Sequence, residues 1–187
     1  DEVGFYDPVT KIWRMRTGNT WSDSVNYLVW GPNGGGWTPV TGDLDNDGYD
    51  EVGFYDPATG IWRMKTENTW SASVNYLQWG ASGWKPVVGD WDNDGVDEAG
   101  HYDPVSGIWR LKTANTWNAS VIYLKWKAQN TGWKPVIGDW DDDGIDEVGF
   151  YDPATGIWRL KTANTWNASV QYLQWGASGW TPVTGEW

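Results

Sequence analysis

The 187 residues contain no cysteine and a single histidine, His101. Thiolate metal sites and disulfide staples are thereby excluded, and one unrepeated imidazole does not make a zinc or other soft-ligand centre. The missing cysteine says little about compartment. Basic residues are also few: 13 Lys and Arg stand against 25 Asp and Glu, for a formal net charge of −12. Such a chain is not expected to bind nucleic acid or to insert into an anionic membrane. No signal-peptide pattern and no apolar run of spanning length is visible. No stretch shows the 3.6-residue period of a helix. What the chain does have is 24 Gly, 19 Trp and a pattern that repeats.

Asp1, Asp50, Asp97 and Asp146 are equivalent positions, spaced by 49, 47 and 49 residues, and nearly the whole chain is four copies of one unit (about 1–42, 43–89, 90–138 and 139–187). Each unit holds four short runs rich in Val, Tyr, Trp and Ile and bounded by turn residues. In the second copy they are 51–55, 61–66, 74–79 and 84–88. Asp56-Pro57-Ala58-Thr59-Gly60 places proline where a turn starts and glycine where φ turns positive; the first copy has Lys11 in place of that glycine. The loop between the third and fourth runs is two residues longer in the first and third copies, which places it on the surface.

The unit is organised around Gly-Asp-Trp-Asp-Asn-Asp-Gly-Val-Asp-Glu, residues 89–98, repeated at 42–51 and 138–147. Alternate carboxylates before a glycine suit a loop wrapped around a hard cation: positions 1, 3 and 5 aim oxygens inward, glycine allows the sharp turn, and position 7 offers its backbone carbonyl. These are Asp43, Asp45, Asp47 and Tyr49, then Asp90, Asp92, Asp94 and Val96, then Asp139, Asp141, Asp143 and Ile145. The variety of side chains at position 7 fits a carbonyl ligand. A late acidic ligand is also needed, and each loop has two adjacent candidates: Asp50 or Glu51, Asp97 or Glu98, Asp146 or Glu147. Oxygen-only ligands in an irregular loop point to Ca²⁺, in three sites. One copy alone would fit a polar hairpin turn equally well; three in register favour the ion. Sixteen of the 25 acidic residues lie in these loops, so the acidity is local, and three divalent ions would halve the net charge.

Four strands per unit of 40–50 residues is the arithmetic of a propeller blade. Pro39, Pro86, Pro135 and Pro182 recur in the last run, and proline is tolerated in an edge strand, so that run is placed innermost, facing the channel. The expected fold is an all-β propeller of four four-stranded blades, a single domain over 1–187. It closes by pairing of the C-terminal strand 180–184 with the N-terminal blade at 2–6, which removes the open edges. Glu186 and Glu2 then stand at the two ends of a fourth, split loop that lacks positions 3 and 5, so three ions are expected and not four. The opening Asp1-Glu2, the tail of such a loop, reads as a mature or trimmed piece.

The motif with its following Val-Gly or Ala-Gly resembles FG-GAP and VCBS-type repeats, which build integrin-like β-propellers with Ca²⁺ in the hairpin between the first and second strands of a blade. The resemblance implies ligands at loop positions 1, 3, 5, 7 and 9, which makes Glu51, Glu98 and Glu147 the late ligands. Position 9 is usually Asp in the family, so the aspartates remain in play. The Gly-Ala-Pro of the family name is replaced here by Tyr-Asp-Pro, and four blades stand in place of the usual seven. The resemblance also implies an extracellular or cell-surface adhesion or lectin-like module without catalysis.

Five positions per unit account for all 19 Trp, with Leu44 the one substitution, and positions repeated in every blade serve packing first. The exception is a Trp amid Asn, Thr and Ser (Trp21, Trp70, Trp117 and Trp166), which fits a carbohydrate platform or a loop anchor. Arg14, Arg63, Arg110 and Arg159 follow a Trp and are expected to pack on aromatics. His101 stands where the other units carry Phe and is read as packing. Asn118 and Asn167 match the glycosylation pattern. With the carboxylates assigned to metal loops, no catalytic residue is expected. Two functions follow: a calcium-bound module recognising glycan or extracellular protein, or a structural unit that self-associates through its terminal strands into a ring or filament.

Overall fold

The computed structural model describes residues 3–128, 132–179, 181, 182 and 184. All regular structure among them is β, arranged as a four-bladed propeller of antiparallel sheets. The first blade comprises β1 (Gly4–Asp7), β2 (Ile12–Arg16) and β3 (Val25–Val29). The second comprises β4 (Thr38–Gly42), β5 (Glu51–Asp56), β6 (Ile61–Lys65) and β7 (Val74–Gln78). The third comprises β8 (Lys85–Gly89), β9 (Glu98–Asp103), β10 (Ile108–Lys112) and β11 (Val121–Lys125). The fourth comprises β12 (Lys134–Gly138), β13 (Glu147–Asp152), β14 (Ile157–Lys161) and β15 (Val170–Gln174). Within each blade consecutive strands are hydrogen-bonded neighbours, in the order β4-β5-β6-β7 and its equivalents. The expected closure by strand 180–184 against 2–6, and the split loop at 185–187, rest on Glu2, Trp180, Val183 and residues 185–187, which lie outside the described residues.

The innermost strands β4, β8 and β12 pack side by side along the axis. Each is an edge with one ladder partner in its own sheet, so Pro39, Pro86 and Pro135 sit there without costing a sheet hydrogen bond. The β5–β6 turn is fixed by its own residues. The Asp56 carboxylate accepts from the Ala58 N–H at 2.9 Å and the Thr59 hydroxyl at 2.6 Å. The Gly60 N–H closes the turn on the Asp56 carbonyl at 2.8 Å, with φ at 73°. Lys11 holds the same left-handed conformation, φ 59°, with a side chain attached.

Burial is greatest on the second strand of the second, third and fourth blades, where at least five successive residues of β5, β9 and β13 are buried. The two faces of the outermost strands differ. Leu28, Leu77 and Leu124 are buried, whereas Tyr27, Tyr76 and Tyr123 are about two-thirds exposed. The Trp of the third strand ties each blade's outer edge: the Trp62 indole donates to the Trp79 carbonyl at 2.9 Å, and Trp13, Trp109 and Trp158 do the same to Trp30, Trp126 and Trp175.

Candidate metal centres

The three acidic loops join the first and second strands of the second, third and fourth blades, so the propeller brings them to one end of the molecule. Each loop turns through two left-handed residues one apart: Asn46 and Gly48 flank Asp47, as Asn93 and Gly95 flank Asp94, and Asp142 and Gly144 flank Asp143, with φ of 60–61° and 86–87°. The first carboxylate organises the turn from within. Asp43 Oδ2 accepts from the Gly48 N–H, Asp90 Oδ2 from Gly95 and Asp139 Oδ2 from Gly144, each at 2.8 Å. Position 5 braces position 7: Asp47, Asp94 and Asp143 accept from the N–H of Tyr49, Val96 and Ile145 at 2.9 Å. The Tyr49 ring itself is exposed, as befits a position whose backbone is what the loop uses.

This geometry gathers three carboxylate clusters. Asp43, Asp45 and Glu51 bring oxygens within 4.8 Å of one another, as do Asp90, Asp92 and Asp94, and Asp139, Asp141 and Glu147. The adjacent late acids, which the sequence leaves as alternatives, go separate ways. Each glutamate is the first residue of its strand, and the aspartate before it is still in the loop. Glu51, Glu98 and Glu147 are buried and turn into their own loop. Glu51 Oε2 accepts from the Leu44 N–H at 3.2 Å and Glu147 Oε2 from Trp140 at 3.3 Å. Asp97 and Asp146 instead reach the preceding loop, where they accept from the backbone N–H of Asp43 (2.9 Å) and Asp90 (3.0 Å). Asp50 presents its carbonyl to Asn68 at 2.6 Å.

The electrostatics are those of a site built for positive charge. Burial, followed by the carboxylates of Asp92, Asp94 and Asp90, pushes Glu98 up to about 8. Burial and the neighbouring aspartates likewise push Glu51 and Glu147 up to about 7. Both carboxylate oxygens of Glu98 and Oε1 of Glu147 are buried without a well-formed hydrogen bond among the described residues; at Glu98 the Trp91 backbone N–H offsets only part of the rise that burial causes. A buried carboxylate short of donors is costly, and a cation is the natural partner that none of the surrounding acids can be. The donor set is oxygen only, in a flexible loop with a glycine turn, which fits a hard divalent ion.

Asparagines not singled out in the sequence connect the loops. Asn46 Nδ2 donates to the Asp94 carbonyl at 3.1 Å, and Asn93 Nδ2 to the Asp143 carbonyl at 3.3 Å, so each loop leans on the next. Asn68, Asn115 and Asn164 bridge the loop's end to the strand after it: each donates to the carbonyl of Asp50, Asp97 or Asp146 and accepts from Val52, Ala99 or Val148. Their recurrence in every unit, two residues before a Trp, was the available signal.

Those Trp residues lie at the same end of the molecule. Trp21 is 100% exposed, and Trp70, Trp117 and Trp166 are 75–78% exposed. They are held in the open by the asparagine anchors and take no part in the core, unlike Trp62, Trp91 and Trp109. Arg63, Arg110 and Arg159 pack over Trp rings of the preceding blade, at 4.0–5.5 Å from the ring centres. His101 is fully buried among aromatics, with burial and Arg110 pulling it down to about 3. Compared with known protein families, with curated proteins and with solved structures, the chain matches none.

Proposed function

We propose that this chain is a calcium-binding, non-catalytic binding module of an extracellular or cell-surface protein, and that it takes glycans on its exposed tryptophans. The observation that carries the calcium reading is the buried glutamate in each acidic loop, above all Glu98, buried beside the carboxylates of Asp90, Asp92 and Asp94. In this reading Asp43, Asp45, Asp47, Glu51 and the Tyr49 carbonyl hold one ion. Asp90, Asp92, Asp94, Glu98 and the Val96 carbonyl hold a second, and Asp139, Asp141, Asp143, Glu147 and the Ile145 carbonyl a third. When bound, the ions neutralise carboxylates that otherwise repel and so fix the loops. The resemblance to FG-GAP and VCBS-type repeats agrees with calcium at this hairpin.

The glycan reading rests on four indole rings displayed at one end of the fold beside polar Asn, Thr and Ser. Aromatic faces flanked by hydrogen-bonding groups suit the apolar faces and hydroxyls of sugars. Calorimetric titration with Ca²⁺ is expected to count three ions per chain, and Asp94→Ala to leave two. The calcium-loaded chain is then applied to a glycan panel beside a Trp70→Ala/Trp117→Ala variant. Loss of sugar binding with an unchanged circular dichroism spectrum supports the platform; a wild type that binds no sugar, or a variant that binds as well, overturns it.

A further inference from the structure

The three interfaces between successive blades share one construction. An aromatic ring from the second strand of each blade enters a cage built by the blade before it. Phe54 sits 5.0 Å from Tyr6, 5.3 Å from Trp13, 5.1 Å from Trp30 and 6.5 Å from Trp37. Phe150 sits 5.0, 5.1, 4.8 and 6.2 Å from Tyr102, Trp109, Trp126 and Trp133. His101 occupies the cage of Tyr55, Trp62, Trp79 and Trp84 at 4.7–5.4 Å. Beside each ring, an Arg and a Lys of the entering blade lie over Trp of the cage: Arg63 and Lys65 over Trp30, Arg159 and Lys161 over Trp126, and in the middle interface Arg110 over Trp84 and Lys112 over Trp79. All three entering rings are fully buried.

Both halves of this construction also stand unused in the described structure. On the first blade Phe5, the equivalent of Phe54, is 73% exposed, with Arg14 and Arg16 at the equivalent positions of Arg63 and Lys65. On the last blade two walls of the cage are in place, Tyr151 and Trp158, both buried, so the open part is the Trp175 side. Tyr151 and Trp158 lie 4.8 Å apart at 47°, as Tyr55 and Trp62 lie 4.9 Å apart at 46°. Its third wall, Trp175, is 69% exposed, and Leu173 is 50% exposed where its equivalents in the other blades are buried. The fourth wall by equivalence, Trp180, lies outside the described residues.

We propose that the last blade binds the first blade of a second copy of this chain, with Phe5 of that copy entering the cage of Tyr151, Trp158 and Trp175 and its Arg14 and Arg16 lying on the Trp175 side. The surface is complementary to the second copy because it repeats an interface the chain already makes three times. Aromatic rings with arginine over them are the residue types that dominate binding energy at protein interfaces. The contact is head-to-tail, so repetition gives a closed ring or a growing array according to the turn per copy. It uses side-chain faces and does not depend on the calcium or glycan readings.

Sedimentation velocity over a range of chain concentrations, at constant calcium, tests this. The wild type is expected to shift from one chain to two or more as concentration rises. Phe5→Asp should remain a single chain with an unchanged melt, since the ring it removes is exposed. Phe5→His should still assemble, because histidine fills the same cage in the third blade. Trp175→Ala blocks the other face, and mixing it with Phe5→Asp should restore one interface and give a two-chain species. A wild type that stays single at every concentration overturns the proposal, as does a Phe5→Asp variant that assembles normally. If the wild type stays single and Phe5→Asp lowers its melting temperature, the first blade covers the last within one chain, and the second copy is not the occupant.

Discussion

Asp97 clasps Asp43 across two loops: its carboxylate accepts from the Asp43 N–H at 2.9 Å, and its own N–H donates to the Asp43 carbonyl at 2.7 Å. Asp146 and Asp90 repeat the clasp at 3.0 and 2.7 Å. The first residue of one candidate metal loop is thus positioned by the next loop in the chain. Asp97→Ala is expected to weaken calcium at 43–51 about tenfold, the effect of losing roughly 1.4 kcal/mol of a charge-assisted hydrogen bond. The loop that contains Asp97 should change less. Amide shifts of Gly48 and Gly95 during a calcium titration separate the two; an equal loss at both, or a loss at Gly95 alone, would count against the clasp.

Glu98→Gln should change sign with calcium. Without the ion, the substitution replaces a buried carboxylate crowded by Asp90, Asp92 and Asp94 by a neutral amide and is expected to raise the melting temperature. With calcium it removes a ligand charge and should lower the melting temperature relative to wild type. Paired melts in chelator and in excess calcium check this. A variant that is less stable in both conditions would show that Glu98 has another stabilising partner.

The pH dependence of the calcium-free protein follows from the same group. Glu98 is raised to about 8 and Glu51 and Glu147 to about 7, from an ordinary value near 4.5. The folded state therefore holds protons that the unfolded chain releases. Stability is fully present below about pH 4.5 as far as these groups are concerned, and is lost as pH rises through 7 to 8. In chelator the melting temperature should fall between pH 5 and pH 9; in calcium the fall should be much smaller. A calcium-free protein whose melt is flat over that range would be incompatible with carboxylates buried in this way.

The strands and their order were legible because the units repeat and each run ends on turn residues with a mechanism. Proline marked the fourth run as an edge strand, and the packing of β4, β8 and β12 on one another puts that edge innermost. The split between Asp97 and Glu98 was not legible: it depends on where the strand begins, which is set by the register of β8 with β9, where Gly89 meets Glu98 and leaves Asp97 in the loop. The aromatic cages were not legible either. Their members are brought together only by packing one blade on the next, and periodic Trp reads as generic core. The one local hint was His101 at a phenylalanine position, which shows that the site accepts a flat ring and not merely an apolar residue.

That histidine gives a further test. Neither ring nitrogen of His101 has a hydrogen-bond partner among the described residues, and the ring is fully buried. Phenylalanine fills the equivalent cages at Phe54 and Phe150. His101→Phe is expected to stabilise the protein by about 1 kcal/mol by removing unsatisfied polar atoms, which is a rise of roughly 2–4 °C for a chain of this size. A lower melting temperature would mean that the imidazole is held by a polar partner.

Each unit carries an aromatic ring on one face and the cage for such a ring on the other. Copying one unit of 47–49 residues within the gene therefore adds a blade whose two neighbours already fit it. No new contact has to arise by mutation, and deleting a unit leaves a matching pair behind. Change is also contained: the substitution at His101 alters one cage and leaves the cages around Phe54 and Phe150 as they were.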